Sequence, residues 1–414
     1  MIINHLPSFL QRFFTPMRPT LHKPQFTHLW SLILAIVINL RDAKLVHLSA
    51  LTPAAGHRTR RGAFLSHSHW DAPALVDRAA CDLLVSMRPR PGETVYLVLD
   101  DTRIAKRGSR MDRLSKIWDH KQQKFVRGHI VLTAAVVFRG VVLPWRLQLW
   151  KPKGQPASAY APRYRKLTDL AAAMIRAFQP PAAGMAVRVL FDAFYLCPAV
   201  CRACQDRGFT FFSVAQRNRQ FTTDNGKRRK LVNLMPGLLK HRGRNVHMKR
   251  AHGRRATLRL ASADGRLSRI GRVRLVVSKR PAGPWRRTVA IVTDETKLDP
   301  RRIVAIYETR WLIEVLFKEL RQDLGLGDYQ MLAEDGIVHH LHVCCLAHLL
   351  LTHQSLQRLG AQARQTDEQV ELPPMNQRLR SLREQVTRDQ IRRIAKGPEH
   401  ARLRTRLCDH LLAA

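Results

Sequence analysis

Acidic residues are scarce in this chain. Its 31 Asp and Glu stand against 71 Lys and Arg, which leaves a formal charge of +40 at pH 7. A folded chain under that self-repulsion calls for a polyanionic partner, nucleic acid first and an anionic membrane surface second. Long apolar runs are lacking as well. The longest, Trp30–Leu40, has eleven residues and contains Ser31 and Asn39, whereas a membrane span needs about 20. It also starts behind Pro7, Pro16, Pro19 and Pro24, too late for a signal-peptide core. The expectation is a buried helix and no membrane.

Cysteines are few and odd in number: Cys81, Cys197, Cys201, Cys204, Cys344, Cys345 and Cys408. An odd count without a signal peptide points to a reducing compartment. Cys201-x-x-Cys204 lacks a second ligand pair at zinc spacing. Cys197, Cys201 and Cys204 share one helical face and read as small apolar core residues. His339, His340, His342 and His348 sit in an apolar stretch without the acidic partner of a zinc motif. No internal repeat of roughly 20–50 residues appears. What remains is ordinary: 45% hydrophobic and 25% charged residues, enough for a core and unlike a disordered basic tail. The 414 residues suggest roughly two or three domains.

Residues 1–90 read as helical, with helices at Trp30–Leu40 and Ala72–Val85. Asp71 is the N-cap of the second and Pro73 lies in its first turn. The basic loop His57–Arg61 between them could touch phosphate. From Pro91-Gly92 the pattern changes. Val95–Leu99 is a short apolar strand that ends in Asp100-Asp101-Thr102. A basic loop, Arg103–Arg127, follows. Strand-like runs Ile130–Phe138 and Val141–Trp150 are joined by Arg139-Gly140, a hairpin signal. Then come an amphipathic helix (Tyr164–Phe178), a strand (Val187–Phe191) ending in Asp192, the cysteine helix, and a strand (Phe209–Val214). This order predicts a mixed α/β sheet.

Residues 217–288 hold 22 Lys and Arg against only Asp224 and Asp264. Alternating residues make this segment a β-rich insertion. Strand Val289–Val292 leads back, and Asp299-Pro300 starts a long helix that runs to about Leu324. A second apolar helix spans His339–Leu359. The basic tail, 360–414, reads as helical, broken by Pro373-Pro374.

Carboxylates at strand ends are where α/β sheets place their chemistry. On the helix after Asp299, Tyr307, Arg310, Glu314, Lys318 and Arg321 fall on one face. Ile303, Ile306, Ile313, Phe317, Leu320 and Leu324 form a separate apolar stripe. By residue chemistry alone, either Asp100 or Asp101 could reach a metal.

The pattern Tyr307-x2-Arg310-x3-Glu314-x6-Arg321 resembles the signature helix of bacterial insertion-sequence DDE transposases, the insertion-sequence-four-like group. That signature ends in lysine where this chain has Arg321, a change that keeps the charge but not the donor geometry. The chain is similar to the family also at Leu99–Thr102, at His120–Gly128, at Leu190-Phe191-Asp192 and in its basic insertion. The resemblance covers roughly residues 30–355. It implies a ribonuclease H-like core in two parts, 91–216 and 289–359, interrupted by the insertion and flanked by a DNA-binding region (1–90) and a C-terminal region (360–414). It selects Asp101, the aspartate directly before threonine, with Asp192 and Glu314, as ligands of two Mg²⁺ ions, for which Mn²⁺ would substitute. It places Tyr307, Arg310, Lys318 and Arg321 on DNA. Phe221 and Trp285 could stack on an unpaired base.

The implied activity is cut-and-paste transposition, with a hairpin on the element end as in relatives. The implied partners are terminal inverted repeats, target DNA and a second copy of the chain, in the bacterial cytoplasm at the nucleoid. The competing readings are a structure-specific nuclease on the same core, a transposase-derived DNA-binding protein without catalysis, and a basic RNA-associated protein.

Overall fold

The computed structural model describes residues 3, 5–39, 42–119, 123–249, 255–360 and 369–396. Five helices come first: α1 (Gln11–Phe14), α2 (Lys23–Ile38), α3 (Leu45–Leu51), α4 (Arg58–His67) and α5 (Ala72–Ser86). The apolar run Trp30–Ile38 forms the buried half of α2, and Leu40 lies outside the described residues. Asp71 caps α5 by accepting the Ala74 amide at 2.9 Å. His57–Arg61 is not a loop, because α4 begins at Arg58. Arg58 and Arg60 are exposed. Arg61 is fully buried and donates to the Leu48 carbonyl at 3.3 Å and to the Thr52 carbonyl. It satisfies carbonyls at the end of α3 and is closed to phosphate.

The sheet begins with β1 (Thr94–Ala105), β2 (Ser115–Asp119), β3 (Lys124–Phe138) and β4 (Val141–Leu149). The segment 103–127 is therefore not all loop. Its end pairs as β2 with the start of β3, and Cys408 and residues 120–122 of the His120–Gly128 stretch lie outside the described residues. β1, β3 and β4 form an antiparallel meander. The β3–β4 turn puts Arg139 and Gly140 at φ 47° and 82°, the left-handed pair that a tight hairpin requires. Helix α6 (Leu167–Ala177) leads to β5 (Ala186–Phe191), and α7 (Pro198–Asp206) leads to β6 (Thr210–Val214). β5 runs parallel to β1, and β6 parallel to β5. Cys201 and Cys204 are buried on α7 as free thiols.

The basic segment continues this sheet. It carries β7 (Gln220–Thr223), β8 (Arg228–Lys230), helix α8 (Leu231–Arg242), β9 (Arg244–Lys249), β10 (Arg255–Leu267) and β11 (Gly271–Lys279). Strand β12 (Val289–Thr293) pairs antiparallel with both β6 and β11. One 12-stranded mixed sheet results among the described residues, with the path β2-β3-β1-β5-β6-β12-β11-β10-β7-β8. Val273, Leu275, Val276 and Val277 are buried on β11, so apolar packing holds these strands despite their charge. Phe221 is fully buried there and offers no stacking face. Trp285 is half-buried and packs on the core.

Helix α9 (Pro300–Glu308) follows, then α10 (Trp311–Lys318), α11 (Glu334–Leu359) and α12 (Met375–Lys396). The single helix expected over 299–324 is interrupted twice. At Thr309-Arg310 the backbone stays helical but tightens, with the Thr309 amide on the Ile306 carbonyl and the Arg310 amide on the Tyr307 carbonyl, both at 3.0 Å. After α10 the chain widens into a π-turn, Glu319–Asp323. No proline or glycine marks either break in the sequence.

Helix α11 runs through the core. It alone among the described helices is long and apolar enough to cross a membrane, and 94% of its apolar window is buried inside the protein. Its histidines are core residues. His340 shares a hydrogen bond with the Gly325 carbonyl at 2.9 Å and His342 with the Val338 carbonyl at 2.7 Å. Burial pulls both rings down to about 4 from 6.5. The unfolded chain therefore takes up their protons first as pH falls. Their stabilisation is complete above pH 6.5 and is lost between there and pH 4. Urea titrations at about pH 7.5 and about pH 5 should show a falling midpoint, and His342→Leu should recover on the order of 2 kcal/mol of the difference. An identical drop in the variant would remove His342 from this account.

Candidate active site

The end of a parallel ladder creates the site. Strands β1 and β5 pair from Thr94↔Ala186 to Leu99↔Phe191. There β5 stops, while β1 continues against β3 as far as Ala105↔Gly128. Asp100 and Asp101 are thus the first residues of β1 beyond its parallel partner, and Asp192 is the first residue beyond β5. This corrects the expected strand boundary: β1 does not end at the aspartates. Their backbone stays paired with Thr133 and Leu132, which makes their positions rigid.

Successive residues of a strand face opposite sides. Asp100 faces α10, and its Oδ2 accepts from Arg310 Nη1 at 2.6 Å. Asp101 faces the loop after β5, and its Oδ1 accepts from the Tyr195 hydroxyl at 2.9 Å. Arg103 Nε lies 3.8 Å from the other Asp101 oxygen. Asp192 Oδ1 accepts the amides of Phe194 at 2.9 Å and Tyr195 at 3.4 Å. This side-chain turn carries Tyr195 to Asp101.

Glu314 comes from α10. Its Oε1 lies 3.4 Å from Arg310 Nη2, one helical turn upstream. The Arg310 guanidinium therefore bridges β1 and α10. The pair Arg310–Asp100 is largely buried, with side chains 17% and 13% exposed. Burial pushes Asp100 up to about 7; Arg310 opposes the rise, and the like charges of Asp192 and Glu314 add to it. Burial also raises Asp192, against the pull of the two turn amides and Arg310. Tyr307 is pushed up to about 12 by burial and stands within the same field of Arg310, Asp192 and Asp100.

Asp100, Asp192, Tyr307, Arg310 and Glu314 therefore gather in one electrostatic cluster. Asp101 adjoins it through Asp192 and Tyr195. Arg321 reaches it as well: its guanidinium donates to the Arg103 carbonyl and feels Glu314. Lys318, one turn past Glu314 at the end of α10, is exposed and lies within electrostatic reach of Asp323. Two other acids near these in sequence stand elsewhere. Asp206 makes a surface pair with Arg176 at 3.2 Å, and Glu319 is held by His348 and Arg378. Sequence reasoning passes over one member, Tyr195, and leaves another, Asp100, as the unselected alternative to Asp101. For Asp100, strand alternation was the usable signal: neighbouring aspartates on β1 must serve opposite faces. Nothing in the spacing Asp192-x2-Tyr195 marks the tyrosine.

The acids supply oxygen donors only, the set that hard divalent cations take. Among the described residues, no three Asp, Glu, His or Cys side chains are already gathered around one point that could hold an ion. Arg310 supplies the balancing cation. The donor chemistry nevertheless fits a divalent metal, and Asp101, Asp192 and Glu314, with Asp100 beside them, are the residues able to hold one.

Residues 160–350 match the family model described as the transposase DDE domain. The match spans β5, Asp192, the basic strands and Glu314, and it supports a DDE transposase. That family implies DNA binding and metal-dependent activity on DNA. No curated protein matches the chain.

Proposed function

We propose that the chain is an insertion-sequence transposase of the insertion-sequence-four-like group that moves its element by cut and paste. One observation carries this reading: carboxylates from β1, the end of β5 and α10 meet at one end of the sheet, and two of them lie inside the matched transposase stretch. The antiparallel meander continued by two parallel strands supports a ribonuclease H-like core in two parts, 91–216 and 289–359. Residues 1–90 recognise the element ends, and 217–288 follow the flanking DNA.

Asp101, Asp192 and Glu314 would hold two Mg²⁺ ions, or Mn²⁺ in their place. When bound, such a pair activates the attacking oxygen and stabilises the leaving one. The chain's own residues do the rest. Tyr195 orients Asp101 through its hydroxyl. Arg310 holds α10 over β1 and keeps further donors for phosphate. Tyr307, Lys318 and Arg321 bind the phosphates that flank the cut strand. Water displaces a 3′ oxygen from phosphorus, and the freed 3′-OH then attacks a second phosphodiester, whose own 3′ oxygen leaves with the proton as a new 3′-OH. Two ends cut in concert require two copies of the chain, acting in the cytoplasm at the nucleoid.

The test is divalent-metal-dependent cutting of a plasmid that carries the gene with its flanking DNA. Breaks at two inverted repeats are expected; binding without any cut in Mg²⁺ or Mn²⁺ would leave only a DNA-binding protein. The charge makes a second prediction. Arg228, Arg229 and Lys230 are all exposed on β8. If β8 lies along DNA, the double substitution Arg228→Ala, Arg229→Ala should flatten the plot of log affinity against log salt by about 2. An unchanged slope removes β8 from the DNA path.

A further inference from the structure

The C-terminal helix reaches the element that follows the candidate catalytic helix. Glu319 opens the π-turn, five residues after Glu314. Its Oε1 accepts from Arg378 Nη2 of α12 at 2.7 Å, and its Oε2 shares a hydrogen bond with His348 Nε2 of α11 at 2.9 Å. Arg378 also donates to Thr352 on α11 at 3.4 Å. The Arg378, Glu319 and His348 side chains are only 6%, 15% and 2% exposed. Little water competes for these bonds, so they count for more than a surface pair.

Helix α12 is itself anchored. Arg383 donates to the carbonyls of Val37 at 2.9 Å and Asn39 at 2.7 Å, at the C-terminal end of α2. Upstream of α12, the Val370 amide donates to the Arg139 carbonyl at 2.7 Å. The described part of the tail is thus a brace across the molecule.

A π-turn holds one more residue than an α-turn, and it can migrate along a helix. If it moved upstream past Glu314, that side chain would swing by about 100° around the axis of α10. Helix α10 has only eight residues, too few to hold its own register. Burial of Ile313, Leu316 and Phe317 sets which face points inward, but the same face can slide. A fixed partner for the first residue of the π-turn prevents that slide.

We propose that Arg378 is a positioning residue for Glu314: through Glu319 it pins the π-turn and so keeps the carboxylate over Asp100 and Asp192. The proposal rests on the reading of Glu314 as an acid of the active site. Its test uses the full chain with Arg378→Met and Arg378→Lys. Amide hydrogen exchange is followed without DNA, and end binding and cutting are followed with it.

For Arg378→Met, exchange across 311–323 should rise about tenfold while the centre of α11 keeps its protection. Binding to end DNA should stay within about twofold, and cutting should fall roughly 100-fold. Arg378→Lys, which keeps one donor for Glu319, should recover part of both effects. Wild-type exchange across 311–323 in Arg378→Met would overturn the proposal. So would loss of protection throughout α11 and α12 together with loss of DNA binding, since that describes a fold defect. If the wild type cuts nothing, the transposase reading fails, and the exchange comparison still decides whether Arg378 pins the turn.

Discussion

Asp192→Asn is expected to cut no DNA, a loss of at least roughly 1,000-fold, while folding at least as well as the wild type. Two facts combine here. Asp192 is raised by burial, so its charge burdens the fold. Its structural work is to accept the Phe194 and Tyr195 amides, and the asparagine oxygen does that equally well. Removing the charge should therefore leave the melting temperature unchanged or higher. Glu314→Gln should also cut no DNA, and its amide oxygen can keep the 3.4 Å contact to Arg310. Plasmid cutting and thermal melts on the same preparations check this. Wild-type cutting by Asp192→Asn would sink the metal-site reading. The same assay separates the neighbouring aspartates. Asp101→Asn should be inactive; an active Asp101→Asn beside an inactive Asp100→Asn would move the first ligand by one residue.

How far the sequence reveals this site follows from which forces are local. Apolar runs with turn signals locate β5, β6 and β12 to within a residue or two, because a buried strand must be apolar and must stop at a turn. The extent of β1 is hidden. Its second half, from Asp100 to Ala105, is strand because β3 is long enough to pair with it, which is a tertiary fact. The breaks at Thr309-Arg310 and at the π-turn are hidden for the same reason. No helix-breaking residue marks them, and side chains from β1, α11 and α12 hold them. The single face drawn through Tyr307, Arg310, Glu314, Lys318 and Arg321 assumes an unbroken helix. The tightening at Thr309-Arg310 falls between Tyr307 and Glu314, and the wide turn falls between Lys318 and Arg321. A loop at His57–Arg61 is misread because charge suggests exposure, while Arg61 is needed by carbonyls in the interior. Phe221 fails as a stacking residue because β7 continues the main sheet rather than lying at its margin.

Arg310→Met should cost stability in a way that depends on pH. The arginine is the principal cation facing Asp100, and its loss leaves that buried carboxylate among Asp192 and Glu314 with the Asp101 amide, 2.9 Å from its Oδ1, as the remaining opposing group. Asp100 already titrates near 7 in the folded chain, against 3.8 when unfolded. Without Arg310 its folded value rises further. A carboxyl raised by folding binds its proton more tightly in the native state, so stability falls as pH rises from the unfolded value through the folded one. The variant should therefore be close to wild type near pH 4, where Asp100 is protonated in both. It should stay level until the wild-type Asp100 begins to ionise near pH 7 and fall behind above that, to a deficit of about 1.4 kcal/mol at pH 8. Adding Asp100→Asn should restore most of that deficit at pH 8, because a neutral amide needs no counter-charge. Urea melts of the four proteins of this cycle at both pH values measure it. If Arg310→Met were equally destabilised at both, the arginine would be serving as packing, and the bridge from β1 to α10 would not rest on charge. Its cutting should also fall whichever acid binds metal, since the Arg310 guanidinium joins Asp100 of β1 to Glu314.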